Sequence, residues 1–147
     1  MSTAATVKPS LTIKRRFNAS PAKVYSAWIE PEKIKLWMGP GAITTARAES
    51  DPRVGGSYRI VMRNPDSGEE FDVAGVFREV IANEKLVYTW AWSGTRERES
   101  LVTVTFKGDG AGTLLTLTHE QFFDEDARDR HNHGWEGALA KLEKLFS

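Results

Sequence analysis

The chain has no cysteine, which removes disulfides, thiol nucleophiles and thiolate metal ligands together, and leaves a cytoplasmic location as the expectation. No apolar run approaches the roughly 20 residues a membrane-spanning helix needs, so membrane insertion is not expected. Residues 1–10 lack the apolar core of a signal peptide and read as a disordered tail. Net charge is missing too. Twenty Lys and Arg balance twenty Asp and Glu, and the longest basic cluster is Lys14-Arg15-Arg16, which argues against a nucleic-acid partner. Histidines number three; His131 and His133, two apart on a predicted helix, face different sides and cannot share an ion. With no His-x-x-x-His spacing, neither a metal nor another cofactor is expected. The glycines of Asp51-Pro52-Arg53-Val54-Gly55-Gly56 lack the spacing of a phosphate-binding loop. That stretch reads as a tight turn into a strand, with Arg53 available to an anionic group of a ligand.

What is present is enough apolar material for one globular domain over residues 1–147: 40% hydrophobic and 27% charged residues, with five tryptophans. The organising stretch is the last one. Trp135, Ala138, Leu139, Leu142, Leu145 and Phe146 recur at helical spacing, and Asp124 is placed to cap a helix whose first turn carries Glu125 and Asp126. Such a helix, about 30 to 35 Å long at roughly 1.5 Å per residue, needs a broad surface to lie on. From Ile43 the apolar period changes to two, giving strands at Ile43–Glu49, Gly56–Arg63, Glu70–Val80, Lys85–Trp92, Ser100–Lys107 and Thr113–Glu120. Their short connections predict antiparallel hairpins. Before them come a strand at Leu11–Phe17 and a helix capped by Ser20 with Pro21 in its first turn. Pro31 begins a second short helix that carries Ile34, Leu36, Trp37 and Met38 and ends at Gly39-Pro40-Gly41.

Strand parity decides which side chains meet the long helix. It turns Tyr58, Ile60 and Met62 inward, with Phe71, Val73, Gly75 and Phe77, with Tyr88, Trp90 and Trp92, and with Leu115, Leu117 and His119. Thr89 and Glu120 turn outward. A curved sheet lined by such rings, with Gly75 leaving a gap, is expected to enclose an apolar cavity. Its candidate walls are Trp37, Tyr58, Met62, Phe77, Tyr88, Trp90, Trp92 and Trp135. His119 and His131 fit two descriptions, hydrogen-bonded histidines at the core edge or polar groups at the cavity mouth able to anchor or to exchange protons. Arg96-Glu97-Arg98-Glu99 reads as a solvated hairpin tip.

Several runs taken together resemble one family. They are Trp37-Met38-Gly39-Pro40; Asp51 to Arg59; Gly75-Val76-Phe77; Glu84 to Trp90; Gly112 to His119; and Gly134-Trp135. The combination is similar to the family named for the activator of the Hsp90 ATPase, within the START-like (Bet v 1-like) superfamily, over residues 12–146. That resemblance implies an α+β helix-grip fold, a curved antiparallel sheet around a long C-terminal helix with two short helices after the first strand and a hydrophobic cavity between sheet and helix. The functional expectation is binding or sequestering of a small hydrophobic or aromatic molecule without catalysis, by a protein that at most forms a weak homodimer. A second reading is a cyclase- or hydrolase-type enzyme using His119 with a carboxylate such as Glu120 or Glu79. A third is a co-chaperone-like module acting on an Hsp90-type ATPase.

Overall fold

Residues 8–147 are described in the computed structural model. β1 (Leu11–Phe17) leads into α1 (Pro21–Ile29), where the Ser20 side chain accepts from the Lys23 N–H and Pro21 fills the first turn. Glu30 leaves helical geometry ahead of Pro31, and α2 (Pro31–Ile34) is a single turn. The predicted continuation through Met38 does not form. Residues 35–37 turn instead, which drives Trp37 inward to donate to the Ala27 carbonyl at 2.9 Å.

The meander follows as β2 (Thr44–Ser50), β3 (Ser57–Arg63), β4 (Glu70–Ile81), β5 (Lys85–Trp92), β6 (Ser100–Asp109) and β7 (Gly112–Glu120). Each strand pairs antiparallel with the next, and β1 closes on β7, giving the order β1-β7-β6-β5-β4-β3-β2. β1 and β2 are therefore opposite edges, and α1 and α2 carry the chain from one to the other. Register shifts at Thr45/Arg47 and Phe77/Glu79 curl the sheet. The second also exchanges faces: beyond it Val80 packs on the core, while Glu79 pairs with Lys85 at 3.3 Å. Glu79 and the outward Glu120 are thus not cavity carboxylates.

α3 (Glu125–Leu145) lies in the curl, with Asp124 accepting from the Ala127 N–H at 2.8 Å. Trp135, Ala138, Leu139 and Leu142 are buried against the sheet; Leu145 is 44% exposed, so the apolar stripe ends before it. Phe146 meets Phe17 edge to face. This is the helix-grip arrangement.

Two sequence expectations change at β4. Gly75 is not a gap: a Cβ there would sit 1.9 Å from the Thr89 carbonyl oxygen, so glycine permits the close crossing of β4 on β5. Thr89, expected to face outward, is buried at that crossing, with its hydroxyl accepting from the Val76 N–H at 2.8 Å. Of the tail expected at 1–10, residues 1–7 lie outside the described residues, and the Pro9 carbonyl accepts from the Phe122 N–H.

Candidate functional site

Between the open end of the sheet and α3 lies a cavity of about 690 Å³. β5 supplies Trp90 and Trp92, β3 supplies Met62, and α3 supplies His131, Gly134 and Trp135. Of the residues expected to form its wall, Met62, Trp90, Trp92, His131 and Trp135 line it. Tyr58, Phe77 and Tyr88 do not. They surround, with Trp28 and Trp90, a separate void of about 20 Å³, room for about one water. Tyr88 accepts from the Trp28 indole, Tyr58 donates to the Thr89 carbonyl, and burial pushes both phenols up in pKa. Trp37 and His119 are both fully buried and do not line the cavity; Trp37, 4.6 Å from Trp28 between ring centres, belongs to the core, and His119 lies behind the wall.

The turn at Asp51–Gly56 is also away from the cavity. Arg53 pairs with Asp51 at 2.9 Å, and a Cβ on Gly56 would meet the Asp51 carbonyl oxygen at 2.1 Å. Parity missed the loop contributions to the wall. Phe122 and Phe123 come from the β7–α3 connection, where Gln121 takes a left-handed φ of 67°. Arg98 comes from the 3₁₀ segment Ser93–Arg98, which forms in place of a simple hairpin tip and brings the guanidinium over the Phe123 ring at 3.8 Å. The one sequence signal for that contact is an aromatic pair, Phe122-Phe123, in a short polar connection.

Two imidazoles and three indoles form one hydrogen-bonded cluster behind and along this wall. His131 Nδ1 lies 2.7 Å from the Ala127 carbonyl oxygen, and an oxygen of that kind only accepts; Nδ1 therefore carries the proton. Nε2 of His131 then accepts from the Trp92 indole at 2.9 Å and the Trp90 indole at 3.3 Å. His119 has the opposite tautomer. The Trp135 indole, a donor only, reaches His119 Nδ1 at 3.0 Å, so Nε2 carries the proton and donates to Ser100 Oγ at 2.7 Å. Ser100 in turn donates to the Trp90 carbonyl at 3.1 Å. The two imidazole centres are 5.1 Å apart. Burial holds His119 well below its ordinary pKa, with the neighbouring His131 as a lesser cause. Burial also lowers His131, against the opposing pull of the Ala127 carbonyl.

This geometry bears on the enzyme reading. Ser100 lines the cavity, and its distance from His119 is that of a nucleophile–base pair. The direction of the hydrogen bond is wrong: a base must accept the serine proton, and here Nε2 donates. Exchanging tautomers would turn an N–H of His119 against the N–H of Trp135. Among the described residues, no group of three or more His, Asp or Glu is placed to hold a metal ion.

The structure is similar to several solved ones. A protein from Chromobacterium violaceum is 24% identical with a TM-score of 0.85, covering 94% of this chain and 97% of its own. An AHSA1 protein from Silicibacter pomeroyi is 26% identical with a TM-score of 0.83, covering 93% and 96%. A protein from Rhizobium leguminosarum is 28% identical with a TM-score of 0.76, covering 94% and 93%. No curated protein matches the chain. Residues 18–147 match the family model described as activator of Hsp90 ATPase homolog 1-like protein, and with the helix-grip fold over almost the same span, the chain belongs to that family.

Proposed function

We propose that the protein binds a small hydrophobic or aromatic molecule in the cavity between β5 and α3 and performs no chemistry on it. The observation that carries the reading is the wall itself. A space of about 690 Å³, within the range of small-molecule sites, is faced by rings whose nitrogens are engaged with one another. Such a wall offers flat apolar contact and edge-to-face stacking to an aromatic guest. The locked tautomer of His119 speaks against the hydrolase alternative.

Gly134 supplies the test. It lies on α3 facing the cavity, and a Cβ built there meets no atom within 4 Å. Gly134→Leu should fill the space while raising helix propensity by up to about 1 kcal/mol. Titration with phenylnaphthylamine, a neutral apolar fluorophore, should quench tryptophan emission in the parent. The variant should lose that binding at least about tenfold, roughly the contact worth of one apolar side chain, with an unchanged or higher denaturant midpoint. Equal affinity in parent and variant would place the binding elsewhere and end this reading.

A further inference from the structure

The cavity is polarised along its length. Inside, each indole N–H of Trp90, Trp92 and Trp135 goes to an imidazole nitrogen, and each imidazole N–H goes to Ser100 or the Ala127 carbonyl. The Ser100 proton goes to the Trp90 carbonyl. The deep wall thus presents ring faces and no free donor. A polar head placed there would give up its hydrogen bonds to water without replacement. It belongs at the mouth.

Arg98 and Arg130 stand at that mouth. Arg98 lays its guanidinium over the Phe123 ring, which occupies the face of the group and leaves its in-plane N–H donors at the edge. The neighbouring Glu99 is taken by Arg78 at 3.8 Å, and Arg98 makes no ion pair among the described residues. Arg130 pairs with Asp126 one turn earlier on α3, with side chains 70% and 78% exposed, a contact of the kind that contributes little. Two carboxylates also reach the rim, Glu70 and Asp72. Both alternate with Phe71 on β4, Asp72 is held by two nitrogens of Arg59 at 3.0 and 2.7 Å, and Glu70 acts on the same guanidinium. The charge of Asp72 is answered by Arg59, while Glu70 and Arg98 have no ion pair among the described residues.

Resting on the reading of the cavity as a ligand site, the geometry points to a finer class of occupant. It is a small amphipathic monocarboxylate, its aromatic or alkyl body inside and its carboxylate at the mouth. Arg98 is the principal anchor, and Arg130 the second donor once it leaves Asp126. A planar anion matches the edge of a stacked guanidinium with two parallel hydrogen bonds.

Calorimetric titration with naphthylacetate, naphthylethanol and naphthylethylamine tests this, since the three share a body and differ in the charge of the head. The acid should bind about tenfold more tightly than the alcohol, the lower end for hydrogen bonds to a charged group. That advantage should shrink between about 0.05 and about 0.5 M salt. Arg98→Gln, at an exposed position, should keep the parent's thermal midpoint and weaken the acid alone, closing most of the gap; Arg130→Gln should close less of it. Equal binding of acid and alcohol, a preference for the amine, or an Arg98→Gln loss shared by all three would overturn the carboxylate assignment and leave the apolar cavity reading in place. Failure of all three to bind would overturn both.

Discussion

Two glycines three residues apart on α3 answer to different constraints. At Gly137 an added Cβ would lie 2.7 Å from Pro40 Cβ and 3.0 Å from Pro40 Cα, so this turn of the helix touches the Gly39-Pro40-Gly41 turn backbone to backbone. Lys141, one turn further along, ties the same region by donating to the Ile43 carbonyl at 2.8 Å, and burial lowers its pKa. At Gly134 there is open space. The same substitution should therefore have opposite signs at the two sites. Gly137→Ala should lose about 1–3 kcal/mol to overpacking despite its better helix propensity, because neither helix nor proline turn yields easily. Gly134→Ala should gain up to about 1 kcal/mol. Urea midpoints of the two variants beside the parent decide it, and a destabilised Gly134→Ala together with a neutral Gly137→Ala would invert the argument. No sequence pattern separates these glycines, since both interrupt the same amphipathic helix; only the position of Pro40 does.

At the scale of elements, alternation identifies a face but not a depth. Tyr88, Trp90 and Trp92 all point inward from β5, as parity requires, yet they meet three environments. Tyr88 is packed under Trp28 at the filled end, Trp90 stands between void and cavity, and Trp92 is at the open end beside His131. That is why the strand and helix pattern, with Met62, His131 and Trp135 on the wall, was legible in the sequence. Tyr58, Phe77 and Tyr88 were assigned to the right face and the wrong end. Arg98, Phe122 and Phe123 depend on connections whose course is set by tertiary packing, and carry no period to read. Thr89 shows alternation failing in another way. Its outward parity suggests a harmless site, but at the β4–β5 crossing the ladder opens and its hydroxyl is the acceptor for the Val76 N–H. Thr89→Val keeps the shape and orphans that donor, so a loss of about 1–3 kcal/mol is expected. A chemical denaturation midpoint equal to the parent's would mean the Val76 N–H finds water instead.

On the scale of the whole molecule, the sheet's curl, its closure by α3 and the chemistry of the cavity wall meet at His119 and His131, and this predicts how stability depends on pH. Both are held neutral in the folded protein, with pKa values below the ordinary value of about 6.5. His131 faces Arg130 and the Ala127 carbonyl. His119 faces His131, and each accepts from an indole that cannot reverse its bond. In the unfolded chain both histidines take up a proton as the pH falls through about 6.5; in the folded protein they do so only at lower pH. The unfolded state then binds more protons, so stability is full above about pH 7 and falls as the solution is acidified. The slope reaches up to about 1.4 kcal/mol per pH unit for each histidine that stays neutral when folded. Asp72, held low chiefly by its hydrogen bonds from Arg59, adds its own loss below about pH 4, outside the window from 7 to 5. Denaturant titrations across that window should show a steady loss in the parent. His119→Asn should begin from lower stability and show a shallower slope, since one of the two protons is gone. A parent whose stability is flat from pH 7 to 5 would mean that the indole–imidazole cluster admits protons in the folded state, and the tautomers assigned to both rings would fall with it.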